Sequence, residues 1–137
     1  MTNRPTKLRI YVAGPYTKPD TTVNTRNALA VGERLMTLGY IPFVPHLYHF
    51  WHFLYPHDYD FWMELDDQWL RTCNALLRLP GESSGADVEV KQARLLGIPV
   101  FYSVEDLVAS LKLVTVVPPN PDGDAVVPAP VPMKGLA

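Results

Sequence analysis

The stretch Leu8-Arg9-Ile10-Tyr11-Val12-Ala13-Gly14-Pro15, residues 8–15, decides the fold of this chain. Its centre, Ile-Tyr-Val, is β-branched and aromatic, as is typical of a buried strand. Gly14 and Pro15 stop the apolar run at once, so the stretch predicts a strand that leads into a tight loop. In a parallel sheet the ligand site lies beyond the carboxyl ends of the strands, which is where this loop is expected.

Strand and helix patterns alternate along the chain that follows. The other predicted strands are short apolar runs at 41–44, 74–79 and 98–102. The predicted helices carry apolar residues at intervals of three or four, at 22–38, from about 58 to 73, from 84 to about 97, and at 104–113. Because Pro42 cannot donate to a sheet ladder, it favours an edge position or a strand start. The alternation predicts βαβ units and a parallel sheet with right-handed crossovers.

We therefore expect one α/β domain over residues 1–113, a Rossmann-like or flavodoxin-like parallel sheet flanked by helices. The remaining residues, 114–137, hold six of the 14 prolines and little patterned apolar sequence. This Pro-rich tail is expected to be extended or disordered. The alternative is an ordered tail that lies across a neighbouring subunit.

The composition excludes several classes of protein. Of the 137 residues, 47% are hydrophobic and 19% charged, as in a soluble globular protein. A net charge of −2 argues against binding to a nucleic acid polymer. The chain has no apolar run of about 18 residues, so no membrane span is expected. It has no apolar leader typical of secretion, and its one cysteine, Cys73, fits a reducing compartment, so a cytoplasmic location is predicted.

Glu89 is the most informative single position. On the predicted helix it is three residues after Ala86 and four before Ala93, which places it close to the sheet. Ser84 and Asp87 match a capping box that begins this helix. A glutamate in the first turns either stabilises the helix start on its surface or points a carboxylate into the cleft at the strand ends.

Asp66 forms a second candidate carboxylate site. Helical spacing places it beside Trp62, Trp69 and Leu70, which would desolvate the carboxyl and raise its pKa. A protonated carboxyl near an ionised one is the arrangement that breaks glycosidic bonds. The alternative is that Asp66 and Asp67 lie on a solvated acidic face of a surface helix.

Residues 48–62 hold eight of the chain's 15 aromatic side chains. Aromatic faces stack on nucleobases, so this segment predicts a base-binding loop, a subunit interface, or both. Three of the four histidines, 49, 52 and 57, lie in the same segment, with His46 just before it. No zinc signature accompanies them, so we expect no metal. With neither a G-x-G-x-x-G nor a P-loop in the chain, we also expect no cofactor.

Several motifs together resemble a known family over about residues 8–102. They are Tyr-Val-Ala-Gly-Pro-Tyr at 11–16, Asp-Asp-Gln-Trp-Leu at 66–70, Cys-Asn-Ala at 73–75, Ser-Ser-Gly-Ala-Asp-Val-Glu at 83–89 and Gly-Ile-Pro at 97–99. In this order and spacing the sequence is similar to nucleoside 2-deoxyribosyltransferases and to the related 2′-deoxynucleoside 5′-phosphate N-hydrolases.

The resemblance implies a role for each matching residue. Glu89 would be the nucleophile that attacks the anomeric carbon, Asp66 the acid/base group that faces the nucleobase, and Tyr11 the residue that positions the Glu89 carboxylate under the sugar. The implied substrate-binding residues are Gly14, Tyr16, Ser83 and Gly85. Asn74 stands where the family usually has an aspartate, which is expected to affect structure only.

The resemblance implies an enzyme that cleaves the N-glycosidic bond of 2′-deoxynucleosides and transfers the sugar to another free nucleobase. Ser83 leaves a second activity open, because some transferases have a base-contacting aspartate there and the nucleotide hydrolases a phosphate-contacting serine. The rival expectations are therefore hydrolysis of 2′-deoxynucleoside 5′-monophosphates and a non-catalytic nucleotide-binding module. Because the family's transferases complete their site with a neighbouring subunit, a homo-oligomer is also expected.

Overall fold

The computed structural model describes residues 6–111, which form an α/β domain. The four strands are β1 (Arg9–Ala13), β2 (Ile41–Phe43), β3 (Ala75–Arg78) and β4 (Val100–Phe101). The five α-helices of the described part are α1 (Thr21–Thr37), α2 (Tyr48–Leu54), α3 (Tyr59–Leu70), α4 (Ser84–Leu95) and α5 (Val104–Ser110). The predicted tail at 114–137 lies outside the described residues. Within them, no helix combines the length and hydropathy needed to cross a membrane.

The strands form one sheet in the order β2-β1-β3-β4, and every neighbouring pair is parallel. The predicted parallel α/β class is therefore confirmed. β2 lies at an edge of the sheet. Pro42 has no N–H to donate, and on the outer side of an edge strand no neighbouring strand needs that hydrogen bond. β1 pairs on both sides, with β2 and with β3, and its apolar residues form an unbroken run because both faces of the sheet are covered.

Two apolar clusters cover the two faces of the sheet. Ile10 and Val12 of β1 face α1 and α5, in a cluster that includes Leu35 and Leu107. Tyr11 faces the opposite side, where the cluster also holds side chains of α3 and α4, namely Leu70, Ala86, Val90 and Ala93. Because side chains alternate along a strand, Tyr11 points to the face opposite Ile10 and Val12, and α3 and α4 cover that face.

The aromatic segment is more helical than its sequence suggests. Residues 45–47 form a short 3-10 turn that continues into α2, and α3 begins after Pro56. Asp58 caps α3, with its Oδ1 accepting from the backbone N–H of Phe61 at 2.9 Å. The predicted start of this helix near Asp58 is therefore confirmed, whereas the helix α2 before it was not predicted.

The predicted capping box at Ser84 and Asp87 is wrong. Ser83 is the N-cap of α4, and its Oγ accepts from the N–H of Ala86 at 3.1 Å. The backbone of Ser83 is extended, with φ −162° and ψ 110°, whereas Ser84 already belongs to the helix. Asp87 is therefore free to reach outward, and its Oδ1 accepts from Nη2 of Arg78 at 3.0 Å.

Candidate active site

Tyr11 and Glu89 are in direct contact. Tyr11 is completely buried in the middle of β1, and its hydroxyl donates a hydrogen bond to Oε2 of Glu89 on α4. The helix approaches the sheet closely because Ala86 and Ala93, which flank Glu89 on its inner face, are small and buried. Burial raises the pKa of the Glu89 carboxyl to about 8. Glu89 is half-buried, and its carboxyl points toward the sheet, where it contacts Tyr11.

Asp66 is a second desolvated carboxyl. It lies half-buried on α3, where burial raises its pKa to about 7. Its Oδ1 is buried and, among the described residues, has no hydrogen-bond partner. Buried polar atoms are nearly always paired in folded proteins, so this oxygen has an unused capacity for a hydrogen bond. The interpretation as a solvated acidic face therefore fits Asp67, which pairs with Arg71 at 2.8 Å, but not Asp66.

The two carboxyls lie on neighbouring helices of the same face of the sheet. Helices α3 and α4 contact each other, and they meet closely at Gly85, where an added Cβ would stand 3.2 Å from the hydroxyl of Tyr59. Phe43 of β2 contacts both sides of the site, since its ring centroid is 5.5 Å from that of Tyr11 and 5.2 Å from that of Trp69, one turn after Asp66. Among residues 6–111, no hydrogen bond joins Glu89 to Asp66.

The loops after β1 and β3 meet at the carboxyl edge of the sheet, which is where the sequence predicted the β1 loop. The N–H of Leu79 donates to the carbonyl of Ala13 at 2.7 Å. A Cβ on Gly14 would stand 2.9 Å from Cβ of Leu79, so this loop contact requires glycine at position 14. Gly81 has a φ of +114°, and a Cβ there would stand 2.7 Å from Pro15. The packing alone thus accounts for Gly14, whether or not it also touches a substrate.

Tyr16 connects the β1 loop to helix α2. Its hydroxyl shares a hydrogen bond with Nδ1 of His49, and burial raises the pKa of the Tyr16 hydroxyl. The neighbouring His46 donates from Nε2 to the carbonyl of Pro15 at 2.9 Å, and burial lowers its pKa, so this ring is neutral near pH 7. The sequence showed the histidines and aromatics but not this pairing, which joins positions 33 residues apart.

The remaining histidines of the aromatic segment, His52 and His57, interact with aromatic side chains of the same segment. Nδ1 of His52 accepts from the indole N–H of Trp62 at 2.8 Å, and His57 stacks on Phe61 with ring centroids 4.0 Å apart. Over residues 6–111, no three His, Cys, Asp or Glu side chains are grouped so that they could hold a metal ion.

Two surface hollows of the described chain are lined by neither Glu89 nor Asp66. One hollow is apolar and lies along α2, and its lining residues are Leu47, Tyr48, Phe50, Trp51, Leu54 and Tyr55. The other hollow lies beside α4, and several cationic side chains line it. The candidate site is thus defined by its two desolvated carboxyls and by the contact of Glu89 with Tyr11, and neither of these hollows belongs to it.

Fold and site together define an α/β domain with two desolvated carboxyls, one on each of the adjoining helices α3 and α4 that cover one face of a parallel sheet. Residues 8–103 match the family model described as "Domain of unknown function (DUF7768)", and the chain belongs to that family. Among solved structures, it is similar to a 2-deoxyribosyltransferase of the psychrotolerant bacterium Bacillus psychrosaccharolyticus, with 20% identity and a TM-score of 0.49 over 67% of this chain and 69% of that chain. No curated protein matches significantly.

Proposed function

We propose that this protein is an N-deoxyribosyltransferase, which cleaves the N-glycosidic bond of 2′-deoxynucleosides and passes the sugar to another nucleobase. The observation that carries the proposal is the hydrogen bond from Tyr11 to the buried carboxyl of Glu89, with a second buried carboxyl, Asp66, on the adjacent helix. The motifs of the sequence that resemble deoxyribosyltransferases include all three residues. The substrates are small molecules, and neither cofactor nor metal takes part.

In the first half-reaction, an oxygen of the ionised Glu89 attacks C1′ of the deoxyribose. The bond between C1′ and the base nitrogen breaks, and Asp66 donates its proton to the departing base. The product is a glutamyl–deoxyribosyl ester and a free base. Because the hydroxyl of Tyr11 holds Oε2, the other carboxylate oxygen is the one that attacks.

In the second half-reaction, a nitrogen of the incoming base attacks C1′, and the ester bond to Glu89 breaks. The ionised Asp66 takes the proton that the incoming base loses, so both carboxyls return to their starting states. Two displacements at the same carbon give net retention of configuration. If water enters instead of a base, the same ester is hydrolysed.

Burial of Glu89 makes its carboxylate more complementary to the cation-like sugar of the transition state than to the neutral substrate. Desolvation disfavours the charged form of Glu89, and positive charge that develops on C1′ relieves this cost in the transition state. The anion is thus stabilised more by the transition state than by the neutral substrate, which is the requirement for catalysis. Tyr11 supports the same state by donating to the carboxylate.

A second candidate activity, hydrolysis of 2′-deoxynucleoside 5′-monophosphates, is favoured by Ser83. Its Oγ accepts from the N–H of Ala86 at 3.1 Å and keeps its own O–H to donate to an oxyanion. The first turn of a helix also presents unpaired N–H groups toward anions. Ser83 and Gly85 are therefore the proposed contacts for the 5′ side of the sugar, together with Gly14 and Tyr16 of the β1 loop.

A homo-oligomer is part of the proposal. Helix α2 exposes Phe50, Phe53 and Leu54 at 72%, 79% and 69% of their surface. Contiguous apolar surface of this kind marks interaction sites. A second copy of the chain is the proposed occupant, since the resemblance implies a site completed across subunits. The proposed location is the cytoplasm.

The test is an incubation of the protein with deoxyadenosine or deoxyadenosine monophosphate, with and without a second base, followed by chromatography. Transfer predicts a new deoxynucleoside that forms only when the second base is present, whereas hydrolysis predicts free deoxyribose 5-phosphate from the monophosphate. The variant Glu89→Ala should lose at least about a thousandfold in rate, and the exposed Glu82→Ala is its matched control. A protein that binds nucleosides but forms no product would overturn the proposal.

A further inference from the structure

A second hollow lies on the flank of α4 that faces away from Glu89. It has a volume of about 520 Å³. The lining residues come from the end of β3, from α4 and from the segment after β4, and they are Arg78, Asp87, Val90, Lys91, Arg94, Leu95 and Tyr102. At 100° per residue, Asp87, Lys91 and Arg94 share one side of the helix, and Glu89 lies on the other. The hollow is therefore separate from the candidate active site.

The charges that line this hollow favour an anion. Three of its residues, Arg78, Lys91 and Arg94, are cations, and Asp87 is the one carboxylate among the lining residues of the described chain. Asp87 is already paired with Arg78 at 3.0 Å. Arg78 is only 8% exposed and also donates to the carbonyl of Leu79, which fixes its guanidinium at the floor of the hollow. Two cations on the rim thus remain for a ligand.

The other walls of the hollow are apolar and include an aromatic ring. Val90 and Leu95 contribute aliphatic surface, and Tyr102 keeps 58% of its surface exposed. The hydroxyl of Tyr102 accepts from Nη2 of Arg94 at 2.9 Å, so the ring and one rim cation are held together. A volume of this size is typical of small-molecule sites, which combine apolar walls with a few placed polar groups.

We propose that this hollow binds a small anion that carries an aromatic ring. The anionic group would lie between Lys91 and Arg94, and its ring would pack on Tyr102. Charge-assisted hydrogen bonds fix the anion, and burial of two apolar rings against each other adds to the affinity. A neutral aromatic compound would contact only Tyr102, and an anion without a ring would contact only Lys91 and Arg94.

The experiment is a calorimetric titration of the full-length protein with phenyl phosphate, with phenol and inorganic phosphate as comparison ligands. We expect phenyl phosphate to bind more tightly than either, and its affinity to fall as salt rises. Lys91→Ala should weaken phenyl phosphate binding about fivefold. Arg26→Ala removes the same charge from α1, on the other face of the sheet, and should leave binding unchanged.

Two further variants locate the ligand. Tyr102→Ala should weaken phenyl phosphate about fivefold while leaving inorganic phosphate unaffected. Glu89→Gln should leave phenyl phosphate binding unchanged, because Glu89 is on the opposite flank of α4; this holds whether or not the protein is a transferase. The proposal is overturned if phenyl phosphate does not bind, if Lys91→Ala behaves like Arg26→Ala, or if Glu89→Gln weakens binding.

Discussion

The hydroxyl of Tyr11, buried at the centre of the sheet, is hydrogen-bonded to Oε2 of Glu89 on α4, 78 residues further along the chain. Both partners are positioned by regular structure, the tyrosine by the alternation of β1 and the glutamate by the inner face of the helix. Sites built on strands and helices hold their geometry better than sites on loops. The hydrogen bond from Tyr11 therefore fixes Oε2 of Glu89 and leaves the other carboxyl oxygen available to a substrate.

Tyr11→Phe tests the positioning role of this hydroxyl. The ring remains and only the hydrogen bond is lost, so we expect kcat to fall about tenfold to a hundredfold with little change in KM. Loss of a donor to the carboxylate also raises the pKa of Glu89 further, so the acidic limb of the pH–rate profile should move to higher pH. An unchanged pH profile, measured by initial rates from pH 5 to 10, would show that the hydroxyl has only a structural role.

The pKa values predict the shape of the pH–rate profile. Glu89 must be ionised to attack and Asp66 protonated to donate, and burial raises their pKa values to about 8 and about 7. We therefore expect a bell-shaped profile of kcat/KM with its maximum between pH 7 and 8. Asp66→Asn removes the titrating acid, so the slow residual activity should no longer fall on the alkaline side. A decline that persists in this variant would exclude Asp66 as the acid.

Glu89→Gln tests the energetic cost of the buried carboxyl. The pKa of Glu89 is about 8 when folded, against an ordinary value of 4.5, so the folded protein retains a proton that the unfolded chain loses. Stability should thus fall as pH rises from about 4.5 to 8. The neutral glutamine escapes this loss and should be more stable than the wild type at pH 8.5 by on the order of 2 kcal/mol, with much less difference at pH 5.

The measurement for this prediction is urea unfolding at the two pH values. The exposed Glu82→Gln serves as the control for a change of charge without burial. An equal effect of Glu89→Gln at pH 5 and pH 8.5 would contradict a raised pKa at this position.

Phe53→Glu tests whether α2 forms the interface of an oligomer. Phe53 is 79% exposed, so a charge there costs the isolated chain little but would be buried in an interface. We expect light scattering to give an oligomeric mass for the wild type and a lower mass for the variant. Val23→Glu, at an exposed apolar position of α1, is the control and should keep the oligomer. A monomeric wild type would remove the basis for a shared site.

The parallel sheet was predictable because the sequence pattern of its strands had one consistent solution. Ile10, Tyr11 and Val12 are apolar on both faces of one strand, which fits only a strand covered on both sides. Pro42 favoured an edge position or a strand start for β2, and the structure places β2 at an edge. The start of α4 could not be predicted as well, because Ser83 and Ser84 are equally good caps and the backbone angles at Ser83 decide between them.

The site was predictable where it depends on helical spacing and unpredictable where it depends on tertiary contact. The position of Glu89 between Ala86 and Ala93 left a surface and a cleft position open, whereas the aromatic neighbours of Asp66 predicted the raised pKa that burial gives its carboxyl. The pairing of Tyr16 with His49 has no local signal, since it depends on how the β1 loop packs against α2. The cationic hollow likewise combines three separate segments of the chain.

The most direct test of the proposed mechanism is to identify the side chain that becomes attached to the sugar. The protein is mixed with deoxyadenosine in the absence of an acceptor base, quenched with acid during the first turnover, digested and mapped by mass spectrometry. The proposed mechanism predicts one deoxyribosyl group, as an ester, on the peptide that contains Glu89, and none in Glu89→Gln. Deoxyribosylation of Asp66, or release of adenine with no sugar on Glu89 at any quench time, would contradict it.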